Sequence, residues 1–293
     1  MLTILTPTYN RAPLLAKLHA SLLAQTRHDF TWLVVDDGST DDTQGLVERL
    51  AKESPFRVRI LRKKNGGKHT ALNVAVTVIS DELTFIVDSD DTLSPDAVDV
   101  VLATHEAHGA TEGLCGYSFL RKFQDGTING KPFPESPWTT DYITARITSR
   151  DTQADKAEVY FTRVLKQYPF PEFPGERFLG EDLVWIRIAL QYRMVHLNQA
   201  IYVGNYLEGG LTNAGKRNKI RSPRGEMARA QMLMHPRCGT RTNLKGAVMF
   251  GCYAFLSKTG LSRAILTADR KMLVVAALPL GIASAIWFLR RWK

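Results

Sequence analysis

Short apolar runs alternate with segments of helical periodicity through roughly the first 110 residues, and a chain patterned in this way folds as a parallel α/β sheet. Leu2–Thr6 predicts a first strand, and Leu14, Leu15, Leu18, Leu22 and Leu23 lie at helical spacing within Pro13–Gln25. Further strands are expected at Phe30–Val35, Arg57–Leu61 and Leu83–Val87, with helices over Thr43–Lys52 and Thr70–Ile79 between them. Pro95 stands near the start of a helix reaching about His108, where its missing N–H costs nothing, and Leu114–Leu120 reads as a fifth strand. Phe123–Gly180 holds Pro, Gly, Asp and Ser clusters with little periodicity, so loops and short strands are expected there. Leu183–Gln191 reads as a helix and Met194–Val203 as a strand. After Gly209-Gly210 the chain turns basic, then helical and apolar, which predicts one domain over 1–215 and a helical region over 216–293.

The 293 residues, 44% hydrophobic, suffice for one large core or a core plus an appendage. Charge is unevenly placed: Met1–Gly215 holds 22 basic against 27 acidic residues, and Lys216–Lys293 holds 16 against 2. An acidic first part suits metal-bound chemistry, and a basic second part suits an anionic surface. Nucleic acid is set aside because the tail carries none of its recognition motifs, whereas basic residues flanking apolar runs fit an anionic inner leaflet. Cys115, Cys238 and Cys252 are far apart and lack CxxC spacing, which points to a reducing compartment and away from a structural zinc. No basic segment and long apolar stretch open the chain, so the N-terminus is expected to stay in the cytoplasm.

Acidic residues gather where strands end, and ligands of open parallel sheets bind outside the carboxyl ends of strands. Asp36-Asp37-Gly38-Ser39 follows the second strand, Asp88-Ser89-Asp90-Asp91 the fourth, and Glu181-Asp182 opens a later helix. Any one of them serves equally well as a helix cap, since Asp and Ser are good N-caps and carboxylates favour the positive end of the helix dipole. All three in this order argue for one crevice. Asp88 and Asp90 are two apart, so on extended backbone both carboxylates face one side, and such hard oxygen ligands suit Mg²⁺ or Mn²⁺.

With Thr6-Pro7-Thr8-Tyr9-Asn10-Arg11 at the first strand end and Asn65-Gly66-Gly67-Lys68 ahead of a helix, these motifs resemble family 2 glycosyltransferases of the GT-A fold. The resemblance is strong over residues 2–110 and continues through Glu181-Asp182 to about Leu211. It implies a Rossmann-like, mostly parallel sheet flanked by helices, and inverting transfer of a sugar from a nucleotide diphosphate, with UDP-sugars the expected donors. It implies that Pro7, Thr8 and Tyr9 wall the nucleobase, that Asp37 accepts a hydrogen bond from it, and that Asp36 supports the ribose or the loop. Lys68, after the flexible Gly66-Gly67 turn, contacts the diphosphate, and Asn73 matches the family's Asn one helical turn later. Asp88 and Ser89 belong to the donor site, and Asp90 with Asp88 holds the Mn²⁺ or Mg²⁺ that neutralises the leaving group. Asp91 braces the loop or caps the next helix. Asp182 takes the proton of the acceptor hydroxyl, and Glu181 tunes it or orients the acceptor. The plainer readings stay open: Tyr9 as a core aromatic, Lys68 as a solvated neighbour of the Arg62-Lys63-Lys64 run, and Trp185 as a core side chain instead of a sugar platform. His69 is given no chemistry.

Processive members of that family carry Gln-x-x-Arg-Trp within a multi-span channel; neither is found here, so one sugar per encounter is expected. A polyprenyl-phosphate glycosyltransferase would differ only in its acceptor. A sugar nucleotidyltransferase would need a Gly-rich, Arg-containing loop where Pro7–Asn10 stands, and a non-catalytic glycan-binding scaffold would be expected to have lost Asp90 or Asp182. Met272–Leu289 is an uncharged run near the minimum length for a span, bracketed by Arg270-Lys271 and Arg290-Arg291-Lys293, with Trp287 and Trp292 as interfacial anchors. Pro279 and Gly281 interrupt it, and Ala247–Leu256 is too short to cross. Helices lying in or dipping into the leaflet are favoured over a single span, and both over a soluble packing helix. Either way the protein is expected at the cytoplasmic face of the inner membrane, monotopic or with one C-terminal span, acting on a lipid-linked glycan of surface-polysaccharide assembly. Lys216, Arg217, Lys219 and Arg221 either close over the diphosphate or touch lipid headgroups.

Overall fold

The computed structural model describes residues 1–109, 111–149, 154–204, 217–257 and 259–291. They divide into two compact units, Met1–Pro169 with Ile188–Asn205, and Phe170–Arg187 with Tyr206–Lys293. In the first unit β1 (Leu2–Thr8), β2 (Phe30–Asp36), β3 (Arg57–Arg62) and β4 (Leu83–Ile86) form a parallel block in the order β3-β2-β1-β4. β1 and β2 are buried along their whole length, as strands covered on both faces must be. α1 (Ala12–Leu23), α2 (Thr43–Glu53) and α3 (Lys68–Val78) follow the first three strands, and α3 packs on β1 and β2. Every element expected up to α4 (Ala97–His108) is present, its ends within two residues of those predicted.

Beyond α4 the sheet becomes mixed. β8 (Lys156–Phe161) lies between β4 and β6 (Leu114–Lys122) and runs antiparallel to both. β9 (Arg193–Val203) is parallel to β6, while the short β5 (Thr92–Leu93) and β7 (Trp138–Thr140) pair antiparallel with β9. β8 therefore forms an interior strand inside the stretch read as loops and short strands. Its Lys156 is buried and donates from Nζ to the carbonyls of Lys131 at 3.1 Å and Asn129 at 3.4 Å. α5 (Thr162–Gln167) follows β8.

The second unit holds the start of α6 (Asp182–Ala189), then α7 (Pro223–Leu233), α8 (Thr240–Leu256), α9 (Leu261–Leu266) and α10 (Lys271–Arg291). Ala230, Met234, Ala247, Phe250, Val274 and Ala277 belong to its core. α10 runs unbroken through Pro279 and Gly281, which were expected to interrupt it. A Cβ on Gly281 would stand 2.9 Å from Cys252 N and from Val248 O, so the glycine lets α10 approach the α8 backbone closely. α10 is 21 residues long and apolar enough to cross a membrane, and it exposes Met272, Leu280 and Trp287. The stretch 209–216, including Lys216, lies outside the described residues, as do Trp292 and Lys293.

Candidate active site

Parallel pairing sets Thr8 beside Asp36 and Asp36 beside Arg62, so three strands finish level. The ladder continues with Asp37 N–H donating to Thr8 O and Lys63 N–H to Asp36 O, both at 2.9 Å. Asp37 is buried; its Oδ1 accepts from Lys63 Nζ at 2.8 Å and Gly66 N–H at 2.9 Å, and its Oδ2 from Gly67 N–H at 2.7 Å. The Gly66-Gly67-Lys68 loop is thereby fastened to the Asp-Asp-Gly turn. Gly38 (φ +80°) sits where a Cβ would meet Asn65 N at 2.9 Å, so only glycine closes this junction without strain. Asp36 Oδ1 accepts from Ser39 N–H at 2.8 Å, which is a loop-bracing contact. Pro7 and Thr8 are buried, and Thr8 Oγ1 has no hydrogen-bond partner among the described residues. Tyr9 is 44% exposed and is no core aromatic. Asn10 takes φ 52°, with Oδ1 accepting from Thr40 N–H at 2.7 Å, a conformation its short amide tolerates.

Val87 N–H donates to Leu5 O at 2.9 Å, and the acidic cluster follows directly beyond β4. Carboxylate oxygens of Asp88, Asp90 and Asp91 all lie within 4.8 Å of one another. Each has a cation: Lys68 Nζ stands 2.5 Å from Asp88 Oδ1, Arg11 Nη1 2.9 Å from Asp90 Oδ2, and Arg121 Nη2 2.8 Å from Asp91 Oδ2. Lys68 is therefore part of the cluster and not a solvated member of the lysine run. The Tyr202 hydroxyl accepts Asp88 N–H at 3.0 Å and donates to Asp91 Oδ2 at 2.7 Å, with the Arg121 guanidinium 4.1 Å above its ring. Gly204 makes room for that guanidinium, since a Cβ there would stand 2.5 Å from Arg121 Nη2. Asp91 thus braces the loop, and α4 starts beyond Asp96. Ser89 is buried between the two outer carboxylates in sequence.

Charge balance follows from this packing. Burial pushes the Asp91 carboxyl up to about 6, with Arg121 opposing and Asp88 adding to the rise. Burial also disfavours ionised Asp88, but the charge of Lys68, then those of Arg121 and Arg11, hold it below the usual carboxylate range. Three oxygen donors this close, compensated only by side-chain cations, fit a hard divalent ion. Arg11 stood inside a motif already legible in sequence, and Lys63 in the basic run that precedes one. Arg121 and Tyr202 did not, lying 30 and 111 residues from Asp91.

In the second unit Asp182 opens α6, and its carboxylate is forked by Arg229 of α7, Nε to Oδ1 at 2.6 Å and Nη2 to Oδ2 at 2.7 Å. Arg229 Nη1 also lies 3.4 Å from Oε2 of Glu226, a side chain with no exposure whose carboxyl burial pushes up. Gly180 admits the arginine: a Cβ would meet Arg229 Cδ at 2.7 Å. The Glu181 carbonyl accepts from Val184 and Trp185 N–H at 2.9 and 3.2 Å, the start of the helix. Trp185 is buried edge-on against Phe170, centroids 5.6 Å apart, so it is a core side chain and not a sugar platform.

A mixed α/β sheet whose parallel half ends in a buried Asp-Asp-Gly turn and a carboxylate cluster belongs to the GT-A class of glycosyltransferase folds, and solved structures share it. Staphylococcus aureus TarS 1–349 in complex with UDP-GlcNAc is similar at a TM-score of 0.62 and 21% identity, covering 97% of this chain and 81% of that one. Mannosyltransferase PcManGT from Pyrobaculum calidifontis, in complex with GDP-Man and Mn²⁺, is similar at 0.57 and 18%, covering 100% and 88%. Residues 3–158 match Glycosyl transferase family 2, and the chain belongs to that family. Chondroitin synthase of Pasteurella multocida (strain Pm70) is 39% identical over 138 residues, which are 46% of this chain and 14% of the relative. Poly(ribitol-phosphate) beta-N-acetylglucosaminyltransferase TarS of Staphylococcus aureus (strain Mu50 / ATCC 700699) is 27% identical over 184 residues, 61% of this chain and 30% of the relative. The chain spans less than a third of the length of these curated relatives.

Proposed function

We propose that this chain is an inverting glycosyltransferase that moves a sugar from a nucleotide diphosphate, a UDP-sugar, to a hydroxyl of a lipid-linked glycan in surface-polysaccharide synthesis. The observation that carries this reading is the Asp88, Asp90 and Asp91 cluster beyond the carboxyl end of a parallel strand, with Lys68 in contact with it. A UDP donor is supported by the TarS complex with UDP-GlcNAc, and a polysaccharide product by the chondroitin and hyaluronan synthases among the relatives.

Pro7, Thr8 and Tyr9 wall the base, and Asp37 accepts a hydrogen bond from it; the three donors on Asp37 fix the carboxylate while Oδ2, with one bond, retains acceptor capacity. Asp36 holds the turn. Lys68 exchanges Asp88 for the diphosphate, and Asp88 and Ser89 border the donor. Asp90 with Asp88 would hold Mn²⁺ or Mg²⁺. When bound, such an ion neutralises the charge growing on the leaving diphosphate. Asp182 accepts the proton of the acceptor hydroxyl as that oxygen attacks the anomeric carbon. The bond to the diphosphate breaks on the opposite face and its electron pair leaves with the diphosphate. Arg229 fixes the direction in which Asp182 presents its oxygens, and Glu181 orients the acceptor. α10 holds the enzyme at the cytoplasmic face of the inner membrane, and the basic residues around it face anionic headgroups.

The test is release of nucleotide diphosphate from a panel of UDP-, GDP- and dTDP-sugars, with Mn²⁺ or Mg²⁺ and with or without native lipid extract. Metal-dependent release from a UDP-sugar, stimulated by lipid and lost in Asp90→Ala and Asp182→Asn, is the expected result. Release from every donor except UDP-sugars, or release unchanged in both variants, contradicts it.

A further inference from the structure

The second unit contains a cavity of about 490 Å³ whose lining residues include Leu183, Met227 and Phe250 together with three arginines, Arg187, Arg224 and Arg263. Among the described residues that line it there is no carboxylate. Its size falls in the range of small-ligand sites, about 300–1,000 Å³. We propose that this cavity binds the phosphate end of a single-chain anionic lipid, the carrier of the acceptor, with the hydrocarbon against the apolar wall and the phosphate among the three arginines.

The chemistry is complementary at both ends. An aliphatic chain leaves water for a wall of Leu, Met and Phe, and a phosphate takes paired N–H donors from planar guanidinium groups better than from point charges. Arg224 is held by Glu176, Nε to Oε1 at 3.2 Å, and lies over the Phe173 ring at 5.9 Å. Arg263 is exposed on α9, and α9 packs on both α8 and α10. α10 begins five residues after α9 ends and exposes Met272, Leu280 and Trp287, so Arg263 and the membrane-type helix belong to one continuous stretch of chain. A soluble sugar phosphate would match the arginines but not the wall. The proposal deepens the lipid-linked acceptor reading and rests on it for its role in transfer.

The full chain in neutral detergent is titrated with a fluorescent analogue of dodecyl phosphate, with unlabelled dodecyl phosphate, dodecanol, inorganic phosphate and phosphatidylglycerol as competitors. Saturable binding displaced by dodecyl phosphate alone is expected. Arg263→Glu, an exposed change, and Ala228→Trp, which fills the cavity, should each weaken it by at least about tenfold at unchanged melting temperature. Binding equal to wild type in a folded Arg263→Glu protein overturns the proposal. So does equal competition by dodecanol, by inorganic phosphate or by the two-chain phospholipid. Lipid-dependent sugar transfer without dodecyl phosphate binding sinks the cavity and leaves the transferase; binding without any transfer does the reverse.

Discussion

Arg229 grips both carboxylate oxygens of Asp182, at 2.6 and 2.7 Å, from a helix that starts 41 residues further along the chain. A fork of this kind fixes the rotation of the carboxylate as well as its position. Arg229→Lys keeps the charge and loses the fork. Turnover should fall about 10- to 100-fold, the worth of one hydrogen bond to a charged group, while affinity for UDP stays as in wild type. Steady-state release at saturating donor, beside UDP titration, separates the two. An equal loss in both would make Arg229 a purely structural residue.

Metal removal should act on the donor and not on the fold. UDP affinity measured by calorimetry with Mn²⁺ should drop at least about tenfold on chelation, whereas Asp90→Ala should bind UDP equally with and without the ion. Full Mn²⁺ dependence in Asp90→Ala would take that residue out of the metal set.

Acid sensitivity should trace to His196. It is buried on β9 between Phe133 and Trp138, ring centroids 4.8 and 5.6 Å away, and burial pushes its imidazole from the usual 6.5 down to about 3. Between those values the unfolded chain binds a proton that the folded chain refuses. Stability from this site is full above the unfolded value and falls as pH drops, by up to about 1.4 kcal/mol per unit. The wild type should therefore melt lower at pH 5 than at pH 7, and His196→Phe should lose most of that difference. The same difference in both proteins would assign acid sensitivity elsewhere.

The exposed face of α10 should decide membrane attachment. Leu280 and Ile286 are 65% and 40% exposed, and a charge in a membrane helix costs about 2.5–3.5 kcal/mol. Leu280→Glu with Ile286→Glu should move the protein from carbonate-washed membranes to the soluble fraction. A doubly charged protein that stays in the pellet would place the attachment outside α10.

The centre of the parallel block was legible because β1 and β2 are buried on both faces, which leaves unbroken apolar runs between helical patterns, as at Phe30–Asp36. β8 was not legible. Lys156 and Glu158 give it a surface-like sequence, and its place is fixed by pairing with β4 and β6 and by the carbonyls that receive the Lys156 ammonium. At the site, Asp36, Asp37, Asp88 and Asp90 announced themselves by spacing. Their partners divide by whether they stand in a motif: Arg11 closes the Thr6–Arg11 motif and Lys63 lies in the basic run beside Asn65–Lys68, while Tyr202 and Arg229, which meet Asp91 and Asp182 across 111 and 47 residues, stand in none. Helical periodicity left Trp185 open between core and sugar contact, and only its packing on Phe170 decides.

The most direct measurement is the anomeric configuration of the product. Radiolabelled UDP-sugar is turned over once with native lipid acceptor, and the product in the organic phase is examined by NMR and specific glycosidases. Label in the lipid phase with inverted configuration, absent with Asp182→Asn although that variant still binds UDP, is the predicted result. Retained configuration, or label transferred equally well by Asp182→Asn, would contradict it.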